Sequence, residues 1–459
     1  MIDSTQENPL GAALRQIASS ILTMIDRGLS DGSLAPSGVF PYYRRKADDF
    51  EYKVEGLSFP YSRNMGGKKV YLPDWIRAEH DLAARVKQSP DFESLKELPI
   101  AQATPGFLES VDHFIARVIN DRIQRGQQRR ADIEQLVTRF LKETNGESLD
   151  YTARIRLDGL VVQPQQVKVE WDDNSVCLRQ TTKADLEQDI PMHWPFGSET
   201  PFDLPTAIVE IRRRTANAGT IGERIHQAVA ILRLFTVASV RSISYGLPSE
   251  SFLLPRGGPV ISNRVDQSLE LGVVRSEDAD RLVDFWVRMA RELPKEFDEW
   301  GVASDPLNLA YQRYCDALLR NGLVERRLAA ATMGLEGLFV KGDEKEVVGL
   351  RLRMRAAKIL GPRGHKGLEV QEDIKSAYGV RSTFVHGHPM SSKETKRLET
   401  RYGSVKDFLQ KILDYLRESI VLLILLKRDK TTLIGLIDDS FIDVDRDKQL
   451  RNPLDGVPR

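Results

Sequence analysis

Apolar positions along the chain change their period twice, and the changes divide it into three regions. Ile17, Ile21 and Ile25 stand four apart, and Leu108, Val111, Phe114, Ile115, Val118, Ile119 and Ile123 keep a helical spacing. Asn145-Gly146, a turn signal, ends that run. Residues 1–149 therefore read as mostly helical, with one short strand in the Gly-, Pro- and Tyr-rich stretch Ser37–Asp74, where Phe50, Tyr52 and Val54 alternate.

From Tyr151 the period falls to two. Tyr151, Ala153, Ile155 and Leu157 alternate with polar residues, as do Val167, Val169 and Trp171, and Asp172–Ser175 turns the chain into Val176 and Leu178. This pattern predicts a β-hairpin or meander. A strand at Ala207–Ile211, a long helix at Ile221–Ser244, an extended segment at Ser251–Ser262 and a helix at Ala279–Glu292 complete an α/β middle region over 150–300.

The helical period returns at Asp305. Helices are predicted at Leu307–Arg320, Val324–Val340, Val347–Leu360, Val370–Val380 and Val405–Lys427, the last with Val405, Phe408, Leu409, Ile412, Leu416 and Ile420 on one stripe. Five helices with short connections describe a compact bundle over 301–459, ending in an acidic, solvated tail at Asp438–Asp447. The predicted fold class is α+β and multidomain, with an all-α carboxy-terminal bundle.

Composition then narrows the function. Lys and Arg total 66, as do Asp and Glu, so the 459-residue chain is formally neutral and any anion-binding surface must be local. Cys177 and Cys315 are the only cysteines, which excludes a disulfide framework and a Cys-rich zinc site and fits a reducing compartment. The amino end, MIDSTQENPLGAALRQ, does not read as a signal peptide. The most apolar run, Ile420–Leu426, falls far short of the roughly 20 residues needed to cross a bilayer and reads as the buried end of a helix. The expectation is a soluble, cytoplasmic protein with no membrane partner.

GxxxxGK[ST], HExxH, GxSxG and paired CxxC motifs are all missing. Gly361–Gly364 follows a helix and reads as a mobile basic loop. Arg212–Arg214 and the cluster Arg122, Arg125, Arg129 and Arg130 read as solvated faces. Of seven histidines, His80, His113, His193 and His226 stand alone, whereas His386 and His388 sit in Arg381-Ser-Thr-Phe-Val-His386-Gly-His388. An arginine closely followed by histidine can bring a fixed cation and an imidazole to one phosphate, provided the arginine ends its helix. Glu336 is the one carboxylate in the apolar stretch Leu328–Val340, and a charge there needs a partner. Arg355, on the next partly apolar helix, is the expected one, in a structural ion pair. Between Arg351 and Arg381, eight Lys and Arg face three acids, a local basic footprint.

GLEGLF (Gly334–Phe339), RAAKIL (Arg355–Leu360) and YGVRSTFVHG (Tyr378–Gly387), in that order, resemble the ApeA-like branch of the HEPN superfamily over roughly residues 305–430. The resemblance implies a helical bundle that pairs with a second copy, bringing two Arg–His sets into one cleft. It also implies a metal-independent endoribonuclease of the antiphage-defence or toxin type, with no cofactor and with RNA, such as tRNA or another structured RNA, as partner. On this likeness Arg381 and His386 are the catalytic pair. Glu336, Arg355 and Tyr378 match supporting positions, Ser382 agrees with the ApeA-like branch, and His388 is the rival histidine. Residues 1–300 carry no comparable likeness and are the place for a phage-derived or other trigger. The alternative is a non-catalytic HEPN module that binds RNA, a nucleotide or a protein.

The residue types suit the chemistry. Histidine, with an ordinary pKa of about 6.5, moves protons near neutrality. Arginine offers a planar, permanently charged fork to two phosphate oxygens. Attack by a 2′-OH would restrict the substrate to RNA and leave a 2′,3′-cyclic phosphate opposite a 5′-OH. Phe384 and Val385 are expected to pack into the bundle, and Gly387 to let the chain leave without a side-chain clash.

Overall fold

The computed structural model describes residues 8–31, 34–36, 39–45, 52–58, 61–65, 68–70, 81–125, 130–172, 174–182, 185, 206–246, 251–253, 271–294, 297, 305–320, 322–427 and 429–451. Two compact units divide the chain: residues 1–156, 170–222 and 243–261 form the first, and 157–169, 223–242 and 262–459 the second. Helices dominate, with antiparallel sheet between the helical ends of the sequence.

The first unit contains α1 (Pro9–Ser30), α2 (Pro90–Lys96), α3 (Pro99–Ala103), α4 (Phe107–Arg125) and α5 (Arg130–Thr144). Asn8 caps α1 by accepting from the Leu10 amide, and Pro9 supplies a residue preset for the first turn. The four-spaced Ile17, Ile21 and Ile25 are buried with Val111, Phe114, Ile115, Val118 and Phe140 in one core. Where one short strand was expected there are four, β2 (Val39–Arg45), β3 (Tyr52–Ser58), β4 (Tyr61–Met65) and β5 (Lys68–Val70), and β1 (Leu34–Pro36) lies just before them. Strands of three to seven residues are too brief for alternation to stand out from their Gly- and Pro-rich surroundings. Phe50 lies outside the described residues.

β6 (Leu149–Asp158), β8 (Val167–Trp171), β9 (Asn174–Gln180), β10 (Ala207–Thr215) and β11 (Arg241–Gly246) form a sheet of order β11-β6-β10-β9-β8, and β7 (Leu160–Val162) pairs in parallel with β12 (Gly272–Val274). The predicted hairpin is present as β8 and β9, but the first alternating strand does not continue it as a meander: β6 lies between β10 and β11 and not beside β8. Tyr151, Ala153 and Ile155 point inward, as their alternation predicts. The single long helix expected to Ser244 instead ends at Phe235, as α6 (Thr220–Phe235), and the chain resumes as β11. The β-branched Thr236, Val237 and Val240 favour extended backbone there. Arg212 and Arg214 pair with Glu210 and Asp150 at 3.5 and 3.8 Å, as solvated faces do. The side chains of Arg122, Arg125 and Arg130, all of Arg129, and His80 and His193 lie outside the described residues, as does most of Ser251–Ser262.

The second unit holds α7 (Ala279–Glu292), α8 (Pro306–Leu319), α9 (Val324–Phe339), α10 (Val348–Leu360), α11 (Gly367–Val385), α12 (Ser392–Tyr402), α13 (Val405–Leu426), α14 (Lys430–Asp439) and α15 (Val444–Arg451). Asp305 caps α8 by accepting from the Leu307 and Asn308 amides, and Ser404 caps α13. α13 is the central helix. It buries Phe408, Leu409, Ile412, Leu416 and Ile420 and packs against α8, α9 and α10. A Cβ on Gly334 would lie 2.7 Å from a Leu416 methyl, so this glycine sets how closely α9 approaches α13. Gly361–Arg363 is a 3₁₀ turn with Arg363 buried, 3.7 Å from Glu418, rather than a mobile basic loop. Among the described residues no helix is long and apolar enough to cross a membrane.

Candidate functional site

α11 buries Val370, Ile374, Ala377 and Val380, which leaves Tyr378 and Arg381 on its flank, facing α9. One turn apart, those two side chains meet: the Arg381 guanidinium lies over the Tyr378 ring at 5.7 Å from its centroid. From α9, Glu336 brings Oε2 to 3.2 Å from Arg381 Nη2, with the two side chains only 18% and 27% exposed. Burial pushes the Glu336 carboxyl above its usual range, and the attraction of Arg381 only partly opposes this. Arg381 Nε is buried without an acceptor among the described residues. Glu336, Tyr378 and Arg381 line an open cleft of about 470 Å³, shared with Arg313, Met333 and Lys430.

Arg355 is not the partner of Glu336. It lies 3% exposed, and each of its five N–H donors is used. Nη1 and Nη2 bind the Glu344 carboxylate at 2.7 Å each, Nε and Nη2 bind Asp438 at 2.7 Å each, and Nη1 also donates to the Phe339 carbonyl at 2.8 Å. An arginine so saturated has no donor left for a ligand. Its fork holds the Glu344 carboxyl down at about 2. The acidic segment Asp438–Asp447 is mostly exposed, as expected, but it is not a free tail. Asp438 ties α14 to α10, and Lys358, three residues after Arg355, binds Asp447 and the Ser440 carbonyl at 2.9 Å each, fixing α14 and α15 to one face of α10.

His386 has a different setting. α11 runs on to Val385, so Arg381 lies within the helix and does not end it. The Gly387 amide donates to the Phe384 carbonyl at 2.9 Å, and the His388 amide reaches back to Thr383 at 3.1 Å. This is a Schellman stop with His386 at the cap and Gly387 at φ +80. Gly387 is needed for that left-handed backbone, not to avoid a clash, because nothing lies within 4 Å of its Cβ direction. Ser382 is half-buried and its carbonyl accepts from the His386 amide. The imidazoles of His386 and His388 are exposed and hold no hydrogen bond or ion pair with the described residues. At roughly 100° per residue, positions 381 and 386 lie about 140° apart around the helix. The structure thus unites Glu336, Tyr378 and Arg381, sets His386 on the adjoining shoulder, and places Arg355 and Val385 elsewhere. Val385 is 56% exposed, against the expectation that it packs inward.

Two other polar clusters occupy this unit. His365, Asp414 and Glu418 offer ligand atoms within 4.8 Å of one another. The donor set suits a divalent cation, but Arg417 already binds Asp414 at 2.7 Å and approaches Glu418 at 3.5 Å, so the carboxylates are neutralised. Asp373, fully buried on α11, accepts from Tyr402, Tyr415 and Arg401 and lies 3.1 Å from Lys411, which ties α12 and α13 to the helix carrying Arg381. Sequence reasoning missed Arg313 and Lys430, which reach the cleft from α8 and α14; no local spacing marks them. Compared with family models, curated proteins and solved structures, the chain matches none.

Proposed function

We propose that residues 305–430 form an ApeA-like HEPN domain and that the chain is a metal-independent endoribonuclease of the antiphage-defence or toxin type, acting in the cytoplasm. The observation that carries this reading is Arg381, held between Glu336 and the Tyr378 ring with its guanidinium on an open cleft, five residues before an exposed histidine whose imidazole has no partner among the described residues. In the proposed reaction the His386 imidazole takes the proton of the 2′-OH as that oxygen attacks the adjacent phosphorus. Arg381 binds the two non-bridging oxygens as their charge grows. The P–O5′ bond then breaks, and the departing oxygen takes a proton from the His386 imidazolium of a second copy. A homodimer through this bundle fits the geometry, because within one chain Arg381 lines the cleft and His386 does not. Residues 1–300 would receive the trigger.

A second reading has its own support. His386-Gly387 is a helix stop in its own right, and Glu336 already neutralises Arg381, as suits a non-catalytic module binding RNA, a nucleotide or a protein. Pure protein incubated with total RNA in EDTA separates the two. The nuclease reading requires cleavage that His386→Ala abolishes; intact RNA with both proteins leaves the binding module.

A further inference from the structure

The cleft around Arg381 does not end there. A second depression of about 160 Å³ is lined by Arg320, Arg326, Arg327, Phe384 and Val385, and it shares Arg313 and Met333 with the first. The shared wall is one face of α9. Arg326, Ala330, Met333, Gly337 and Val340 follow at intervals of four, three, four and three, the spacing of a single helical stripe. At 1.5 Å per residue that stripe is about 21 Å long, roughly six phosphate intervals of a stacked strand.

Charge along this groove is uneven in an informative way. Its walls carry six Lys and Arg against Asp316, Glu336 and Glu344, in a chain that is neutral overall. The inner cations are engaged: Arg313 and Arg320 with Asp316, Arg381 with Glu336, and Arg327 with the Ala317 carbonyl. Glu344 is neutralised by Arg355 and Arg351. The side chains of Arg326 at one end and Lys430 at the other hold no hydrogen bond or close ion pair with the described residues, and Glu344 attracts the partly buried Lys430 only at longer range. Small residues Ala330 and Gly337 keep the floor open, and Met333, Phe384 and Val385 give it apolar surface on which bases can lie.

We infer that the two depressions form one path for a single strand of nucleic acid, entering at Arg326, passing Arg381 and leaving at Lys430. The inference rests on the reading of Arg381 as a phosphate-binding residue and adds a flanking subsite at Arg326, Phe384 and Val385. A paired protein copy seated on this face is the rival occupant, and the charge surplus favours the polyanion.

The test is fluorescence anisotropy with the full chain carrying His386→Ala, in EDTA, and a labelled 12-nucleotide single-stranded RNA. Arg326→Gln and Lys430→Gln should each weaken binding several-fold at 100 mM salt. Each should also flatten the slope of log affinity against log salt by about 0.7, the release expected for one phosphate contact on a single strand. A four-nucleotide RNA should lose less to either change than the 12-mer. Unchanged affinity and slope in both variants would overturn the proposal, as would no binding of RNA at all. So would a shift in sedimentation mass with RNA affinity intact, which would assign the face to a second copy. Cleavage does not enter this readout: binding lost in Arg326→Gln supports the path even if the unsubstituted chain cuts nothing, and that latter result would remove only the nuclease reading.

Discussion

Replacing Glu336 by Gln removes a charge and leaves an acceptor of the same shape beside Arg381. At the observed 3.2 Å separation and an effective dielectric of about 20, the ionised pair attracts by about 5 kcal/mol. Burial nevertheless raises the carboxyl above its ordinary range, so desolvation outweighs that attraction. The net cost of Glu336→Gln to stability should therefore stay below about 1 kcal/mol, against about 3–5 kcal/mol when one partner is taken from a well-compensated buried pair. Its effect on Arg381 should be larger, because the guanidinium loses the charge that fixes it over Tyr378. Cleavage should fall about 10- to 100-fold, as for a reacting group displaced by about an ångström. The pH dependence has a definite sign. A raised folded-state pKa gives stability that is fully present below glutamate's ordinary value of about 4.3 and lost as pH rises through the folded value. Between pH 4 and 7 the melting temperature of Glu336→Gln should therefore rise relative to that of the unsubstituted chain. Melting curves and single-turnover cleavage in EDTA, both across pH, check this. A loss above about 2 kcal/mol, with cleavage per folded molecule unchanged, would make Glu336 purely structural.

The catalytic assignments give further tests. Arg381→Ala and His386→Ala should abolish cleavage with little change in melting, and Arg381→Lys should also fail because an ammonium cannot replace the two-pronged fork. His388→Ala should be tolerated; full loss there with a tolerated His386→Ala would exchange their roles. Arg355→Ala should destabilise the bundle by about 3–5 kcal/mol in urea unfolding and speed amide exchange in α14 and α15, because Glu344, Asp438 and the Phe339 carbonyl lose their donor together. Acid should act through Glu344: with its pKa held near 2, its contribution is present above about 4.3 and lost as pH falls toward 2, so Glu344→Gln should flatten the melting profile in that window.

Local pattern was a good guide for four helices of the second unit that bury a continuous stripe. α8, α9, α10 and α13 begin and end within a residue or two of their expected bounds, because their apolar residues line one face and capping residues such as Asp305 and Ser404 precede two of them. α12 escaped notice because Leu398 is its one buried residue, and a solvated helix has no stripe to read. The attachment of the tail escaped for the opposite reason. Its acids look solvated in isolation, and only the face of α10 bearing Arg355 and Lys358, some 80 residues earlier, gives them partners. Spacing could not choose between two arginines for Glu336: nearness in sequence favoured Arg355, while tertiary contact supplied Arg381, 45 positions away. The motif Arg381–His388 stood out in the sequence, but its backbone role as a Schellman stop emerges only from the hydrogen bonds at the end of α11.

In the proposed function, RNA is cut through its own 2′-OH without a metal. An oligodeoxynucleotide carrying one internal ribonucleotide, incubated with the pure chain in EDTA, tests it most directly. The expected result is a single cut on the 3′ side of that ribonucleotide, leaving a 2′,3′-cyclic phosphate and a 5′-OH, and no cut with His386→Ala. Cleavage of the all-deoxy control, or cleavage that appears only when a divalent cation is restored, would contradict it.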